Sequence, residues 1–164
     1  MKAIEVAGIV TTYFDFNGDL VTNKKLQKLL YYIEAWSLVY SDSVIDEDFE
    51  AWVHGPVVVD VYQEYKRFGY SPIKNEYKEG MSASTQLKQL LGHTDLSQDQ
   101  RDLIFAVLNK YGSLSSFELE TLSHSEKPWQ EARKGLGPFD PCSVIIEKKV
   151  MKEFYSSIID GQKG

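Results

Sequence analysis

The segment 22-TNKKLQKLLYYIEAWSLVY-40 predicts a long helix at the centre of the protein. Thr22 is a good N-cap, because its hydroxyl can accept a hydrogen bond from an amide of the first turn. One face is apolar and aromatic, and consists of Leu26, Leu29, Leu30, Ile33, Trp36 and Tyr40, widened by Tyr32, Ala35 and Val39. The polar residues keep to a narrower stripe, formed by Lys24, Gln27, Glu34 and Ser41. So broad an apolar arc is typical of a helix in the middle of a domain.

Length and composition indicate one folded domain that covers residues 1–164. A chain of 164 residues, 43% of them hydrophobic and 13% aromatic, can bury a sizeable core without a metal or a disulfide. The single cysteine, Cys142, excludes an intramolecular disulfide, and we see neither a secretory leader nor an apolar run of membrane-spanning length. We therefore expect a cytoplasmic protein that does not bind membranes. The net charge of −6 disfavours attraction to phosphate backbones, so we expect no direct contact with nucleic acid.

Helix start and stop signals predict about six to seven helices in a mainly α (α+β) fold. The clearest start is at Ser115 and Glu118, which have capping-box spacing, and Ser97 caps the helix before it. A last helix is predicted over residues 147–159, ahead of a polar tail at 160–164. Residues 70–94 are rich in Ser, Gly, Lys and Asn, and predict an exposed, mobile connection with one short helix near Leu87 to Leu91.

A small two-stranded β element completes the predicted fold. Apolar and polar residues alternate from Phe49 to His54, which is the period of a short strand. Gly55 and Pro56 are expected to end this strand, with the proline at the first position of a third helix. Residues 144–146 are predicted to pair with the strand near Trp52.

The candidate catalytic and metal-binding residues do not form a recognised pattern. His54, His93 and His124 lack the close paired spacing of metal sites, and Cys142 has no neighbouring base in sequence. Residues 111–119 are similar to the entry of a helix-turn-helix, but the next helix carries glutamates where a DNA reader needs basic or amide side chains. We therefore predict no catalytic residues, no metal and no cofactor.

Two stretches group a histidine, a tryptophan and a proline: 49-FEAWVHGPVV-58 and 122-LSHSEKPW-129. Neither is a catalytic motif. Aromatic residues beside polar ones, here Trp52, Tyr62, Tyr77 and Trp129, often anchor protein partners through their large amphipathic rings. The sequence therefore favours binding over catalysis.

These two stretches, together with 23-NKKLQKLLYY-32 and Trp36, resemble the Panacea domain, the SocA-like antitoxin domain also found in phage-associated proteins. The similarity runs from about Ile4 to the last helix and preserves the order of the motifs. Further matching positions are Tyr62, Leu114-Ser115, Glu118-Leu119, His124, Pro128-Trp129 and Ala132-Arg133.

The resemblance implies a mostly helical antitoxin that neutralises a cognate toxin by direct protein–protein binding and is not an enzyme. The toxin is commonly encoded by an adjacent gene. Other readings stay open: an adaptor that delivers the toxin to an ATP-dependent protease, a phage or prophage protein that counters host defence, and, less favoured, a small hydrolase using His54 and His124.

We expect toxin contact at one patch that joins the two histidine-tryptophan stretches. Its predicted members are Trp52, His54, Gly55, Pro56, Tyr62, His124, Pro128 and Trp129. Leu29, Ile33, Trp36 and Val58 are expected to be structural.

Overall fold

The computed structural model describes residues 1–163, which form a mainly helical fold with one small antiparallel sheet. In chain order the elements are α1 (Ala3–Phe16), α2 (Asn23–Tyr40), β1 (Phe49–Trp52), β2 (Gly55–Val57), α3 (Val59–Tyr65), a 3₁₀ turn (Lys66–Phe68), α4 (Ala83–Gly92), α5 (Gln98–Tyr111), α6 (Ser116–His124), α7 (Lys127–Ala132), β3 (Ile145–Ile146) and α8 (Lys148–Lys163). The predicted fold class is confirmed, with eight α-helices in the described residues where about six to seven were expected. None of the helices in this part of the chain is long and apolar enough to cross a membrane.

Helix α2 lies at the centre of the fold, as its apolar arc predicted. The Thr22 hydroxyl accepts a hydrogen bond from Lys25 N at 3.3 Å, which confirms the N-cap. The helix packs against α5, α8, α6, α1 and α3 and against β2, and its leucines and tyrosines up to Ile33 are buried. Most of the buried apolar residues therefore belong to one core around α2.

The predicted polar stripe of α2 is wrong at two positions. Gln27 and Glu34 are only 1% and 0% exposed. Glu34 is tolerated in the core because its carboxylate accepts hydrogen bonds from Val44 N at 2.9 Å and Ile45 N at 2.8 Å, and lies 3.1 Å from Lys148 Nζ. Buried polar groups with such partners lose little of the hydrogen bonding that water would give them. Glu34 thus joins the loop before β1 to α8.

The helix starts predicted from serine caps are confirmed. Ser115 Oγ accepts from Glu118 N at 3.1 Å, and Glu118 Oε2 accepts from Ser115 N at 2.7 Å. Ser97 and Gln100 form the same reciprocal pair, at 3.2 and 3.0 Å. These two capping boxes place the starts of α6 and α5.

The sheet in the described residues has three strands rather than two, and Pro56 lies in a strand rather than at a helix start. Strand β1 pairs with β2 through a turn at residues 53–54, and pairs on its other side with β3, as predicted for that segment. Gly55 follows the turn with a φ of 107°, which favours glycine. Because β2 is an edge strand, the missing N–H of Pro56 can be accommodated. Helix α3 therefore begins only at Val59.

Two segments are more helical than predicted. Helix α4 is ten residues long and packs against α1, where only a short helix near 87–91 was expected within residues 70–94. The mobility of that connection stays a prediction. Helix α8 continues to Lys163, so the predicted end at Ile159 is wrong. Residues 160–162 are exposed and include no proline, and the helix continues through Gly161 despite the low helix propensity of glycine.

A buried carboxylate ties α2 to α7 and α8. The hydroxyls of Tyr32 and Tyr155 donate to Glu126 Oε1 at 2.5 and 3.0 Å. Burial raises the pKa of Glu126, and these two hydrogen bonds act in the opposite direction. The glutamate of the second histidine-tryptophan stretch is therefore part of the core.

Candidate functional site

A groove of about 750 Å³ opens beside the turn that joins β1 and β2. The start of α2 lines it with Asn23, Lys24, Gln27 and Lys28, and the hairpin lines it with Glu50, Trp52, Val53, His54 and Val57. Tyr62, Lys66, Gly69, Tyr70 and residues 141–143 complete it. We call it the hairpin groove. Its size and mixed lining are those of a typical binding site.

Lys28 is the most unusual residue of the hairpin groove, because its side chain is 1% exposed. Within the described residues its ammonium has one hydrogen-bond acceptor, Pro56 O at 3.3 Å. Burial lowers the pKa of Lys28 from its usual 10.5 to about 7, which the carboxylate of Glu120 opposes and the ammonium of Lys24 reinforces. The amine can therefore gain or lose its proton near neutral pH.

Gly55 is required by the path of the Lys28 side chain. A Cβ at position 55 would lie far inside van der Waals contact with Lys28 Cε, and 3.0 Å from Ser123 Oγ. The φ of 107° also favours glycine here. The histidine-glycine-proline corner is thus shaped around a buried lysine of α2.

Gln27 and Asn23 hold this end of α2 to α3. Gln27 Nε2 donates to Asn23 Oδ1 at 2.9 Å, and Gln27 Oε1 accepts from Val58 N at 3.0 Å. Asn23 Nδ2 donates to Tyr62 O at 3.1 Å. These bonds satisfy the two buried amide side chains and fix the position of Tyr62.

Trp52 and Tyr62 form an aromatic wall. Their ring centroids are 4.8 Å apart with the planes at 64°, an edge-to-face arrangement, and both residues are half-buried. Trp52 Nε1 donates to Glu50 Oε2 at 2.6 Å. The wall is therefore held in place yet still reachable from solvent.

The rim beside this wall is a three-residue ionic cluster. Glu120 accepts from His54 Nδ1 at 2.8 Å and forms an ion pair with Lys24. Burial acts to raise the pKa of Glu120, but the hydrogen bonds and charges of Lys24 and His54 outweigh it, so the pKa lies below its usual value. Glu120 is thus an ionised partner shared by two basic groups.

The second histidine-tryptophan stretch supports the hairpin through a hydrogen bond to the backbone of β1. Trp129 Nε1 donates to Trp52 O at 2.9 Å, and the ring of Trp129 stacks on His124 at 3.9 Å between centroids. In the described chain, His124 Nε2 is buried without a hydrogen bond, and burial lowers the pKa of this histidine. The expected proximity of the two stretches is therefore present.

Arg133 secures the same strand. Its guanidinium donates to Ala51 O at 2.9 Å, Gly137 O at 3.1 Å and Asp140 O at 2.7 Å, and it lies over the Trp129 ring at 5.0 Å. The loop that leads to residues 141–143 of the hairpin groove is thereby fixed to β1.

The predicted patch divides into residues that line the hairpin groove and residues that do not. Trp52, His54 and Tyr62 line the hairpin groove. Gly55, Pro56 and Pro128 are buried, and the half-buried His124 and Trp129 are not among the groove residues.

Lys28, Asn23 and Gln27 were not predicted to be site residues, although all three line the groove. Lys28 lies one turn after Lys24, on the polar side of the α2 pattern, so nothing in the local sequence marks it as buried. Among residues 1–163, no group of three or more His, Cys, Asp or Glu side chains is placed so that it could hold a metal ion.

A comparison with protein families identifies one match. The model described as "Antitoxin SocA-like, Panacea domain" matches residues 26–130, from α2 into α7. This span includes both histidine-tryptophan stretches and leaves out α1 and α8. Neither the curated proteins nor the solved structures contain a match to the chain.

Proposed function

This chain belongs to the SocA-like antitoxin family with the Panacea domain, and we propose that it neutralises a cognate toxin by direct protein–protein binding. The observation that carries this proposal is the family match over residues 26–130, which spans the motifs around the hairpin groove. We further propose that an adjacent gene encodes the toxin and that the two proteins meet in the cytoplasm.

We place the toxin contact at the exposed part of the hairpin corner. Trp52 and Tyr62 present large amphipathic rings at a groove, and His54 beside them has a side chain 67% exposed. Aromatic residues in such positions commonly carry much of the binding energy of an interface. The backbone under Trp52 is supported by Trp129, so the corner offers the toxin a preformed surface.

We propose that the two histidines stabilise the corner and do not catalyse a reaction. His54 is held by Glu120, which also pairs with Lys24, and His124 is stacked on Trp129. Both rings have roles in holding the corner. A phosphoester or peptide substrate turned over by the protein, with turnover lost in His54→Ala and His124→Ala, would contradict the proposal.

Co-expression with the product of the adjacent gene tests the proposal directly. We expect the neighbouring gene to stop growth alone and to be harmless when the chain is co-expressed and co-purifies with it. A harmless neighbour that does not co-purify would refute the proposed pairing.

Two alanine variants locate the contact. Trp52→Ala is expected to weaken toxin binding by at least about thirtyfold, the size of a hot-spot loss. Tyr40→Ala is the matched control, because Tyr40 is 63% exposed and lies at the opposite end of α2, roughly 25 Å along the helix from the groove. If both variants fold and bind the toxin equally well, the hairpin corner is not the toxin contact.

Delivery of the toxin to an ATP-dependent protease is the alternative mechanism. Masking by direct contact predicts that the half-life of the toxin in cells is the same with and without the protease. A half-life that shortens only when both the chain and the protease are present would support the adaptor mechanism instead.

A further inference from the structure

The ammonium of Lys28 has unused hydrogen-bonding capacity inside the hairpin groove. The group carries three N–H donors, and the described residues provide one acceptor, Pro56 O at 3.3 Å. The side chain is 1% exposed, so solvent does little to satisfy the remaining donors. A buried cation with free donors is expected to favour an anionic ligand.

The charged side chains around Lys28 leave about one positive charge of the groove without a negative partner. Glu120 is already shared by Lys24 and His54, and Glu50 accepts the indole N–H of Trp52. Lys66 is exposed at the rim. Among the described residues, Lys28 and Lys66 are therefore the two lysines of the groove without a carboxylate within ion-pair distance, and of these two only Lys28 is buried.

The remainder of the hairpin groove suits a flat, apolar body. Trp52, Tyr62 and Tyr70 supply aromatic surface, and Val53 and Val57 supply aliphatic surface. Aromatic rings bind planar groups by stacking and edge contacts. The volume of about 750 Å³ is within the range of sites for small molecules.

We propose that the hairpin groove binds a small organic monoanion, with its carboxylate at the wall that Lys28 lines and its flat apolar body against Trp52 and Tyr62. This site goes beyond toxin neutralisation, and it does not require that a toxin bind the chain.

Binding of such an anion should be coupled to the uptake of a proton. The amine of Lys28 has a pKa of about 7, and a carboxylate beside it favours the charged form. Affinity is therefore expected to fall by up to about tenfold per pH unit above pH 7. The other titratable groups that line the groove or act on Lys28 are Lys24, Glu50, His54, Tyr62, Lys66, Tyr70, Glu120, His124 and Cys142.

Benzoate and benzamide are matched probes, since they share one shape and differ in charge. We expect millimolar benzoate to shift the indole N–H resonance of Trp52 in a protein NMR spectrum and to bind at least about tenfold more tightly than benzamide. Lys28→Met should abolish this preference, whereas Lys66→Met, at the exposed rim, should keep it.

The outcomes distinguish the proposal from its alternatives. If benzoate does not bind at millimolar concentration, or if it binds Lys28→Met as tightly as it binds the unmodified protein, the proposal is overturned. If only toxin binding is lost in Lys28→Met, the groove accepts an acidic group of the toxin and not a small anion. The pH dependence of benzoate affinity in the unmodified protein gives a second test, which does not need Lys28→Met to fold.

Discussion

Replacing Lys28 by methionine is expected to raise the free energy of unfolding at pH 6 and to remove a strong dependence of stability on pH. Methionine keeps most of the apolar stem and removes the buried charge. Burial lowers the pKa of Lys28 from 10.5 to about 7 in the folded protein, which corresponds to about 5 kcal/mol between acidic and strongly alkaline pH. The side chain is 1% exposed, so solvent screening reduces this value little.

The direction of the pH dependence of stability follows from the pKa of Lys28 in the folded and in the unfolded chain. Below pH 7 the lysine is charged in both the folded and the unfolded chain, and the full cost of burying the charge lowers stability. Above pH 7 the folded protein releases the proton while the unfolded chain keeps it up to about pH 10.5, so stability rises with pH. The slope reaches about 1.4 kcal/mol per pH unit once the folded protein has released the proton, and the rise in stability between pH 7 and pH 9 is about 2 kcal/mol.

Urea denaturation at several pH values between 6 and 9 measures this effect, provided that unfolding is two-state. The difference between Lys28→Met and the unmodified protein should be largest at pH 6 and should shrink as the pH rises. Lys66→Met is the control, because Lys66 is exposed and its loss should give a curve parallel to that of the unmodified protein. If the stability of Lys28→Met also varied with pH in parallel to that of the unmodified protein, the reasoning would be refuted.

Three further substitutions test other parts of the structure. Gly55→Ala should lower the free energy of unfolding by about 2–4 kcal/mol, because φ is 107° and the new methyl group would overlap the side chain of Lys28. If the double variant with Lys28→Ala recovers none of this loss in denaturant titrations, the overlap with Lys28 is not the cause of the loss. Trp129→Phe should cost about 1 kcal/mol by removing the hydrogen bond to Trp52 O, and an unchanged denaturation midpoint would contradict the importance of that bond. Glu126→Gln should give an equal or higher melting temperature at pH 7, because burial raises the pKa of the carboxyl and makes its ionised form costly. The difference in melting temperature between the variant and the unmodified protein should narrow toward pH 4, where the unfolded chain is also protonated. A large drop in the melting temperature of the variant at pH 7 would show that the ionised carboxylate is needed.

Local signals were sufficient for much of the fold. Thr22, Ser97 and Ser115 begin helices in the sequence and in the structure, because a capping hydroxyl acts on amides only two or three residues away. Pro56 was misassigned because a proline can begin a helix or occupy an edge strand, and the choice depends on a chain reversal at residues 53–54 that pairs Pro56 with β1 and was not predicted.

The candidate site was predictable where aromatic residues dominate it and not where buried polar residues do. Trp52 and Trp129 were expected to lie close together, and a hydrogen bond joins them. Gln27 and Lys28 would be exposed on an isolated helix, and their burial depends on partners about thirty residues away, Val58 N and Pro56 O. A single sequence gives the polarity of such residues but not the distant groups that satisfy them.

The core around the Glu126 carboxylate can be completed only late in synthesis of the chain. One of its two hydroxyl partners, Tyr155, lies on α8, 29 residues later in the chain. A ribosome adds about 5–20 residues per second, so Tyr155 is synthesised about 1–6 s after Glu126. Until it emerges, the nascent chain has the matched family segment but not the helix that completes this core.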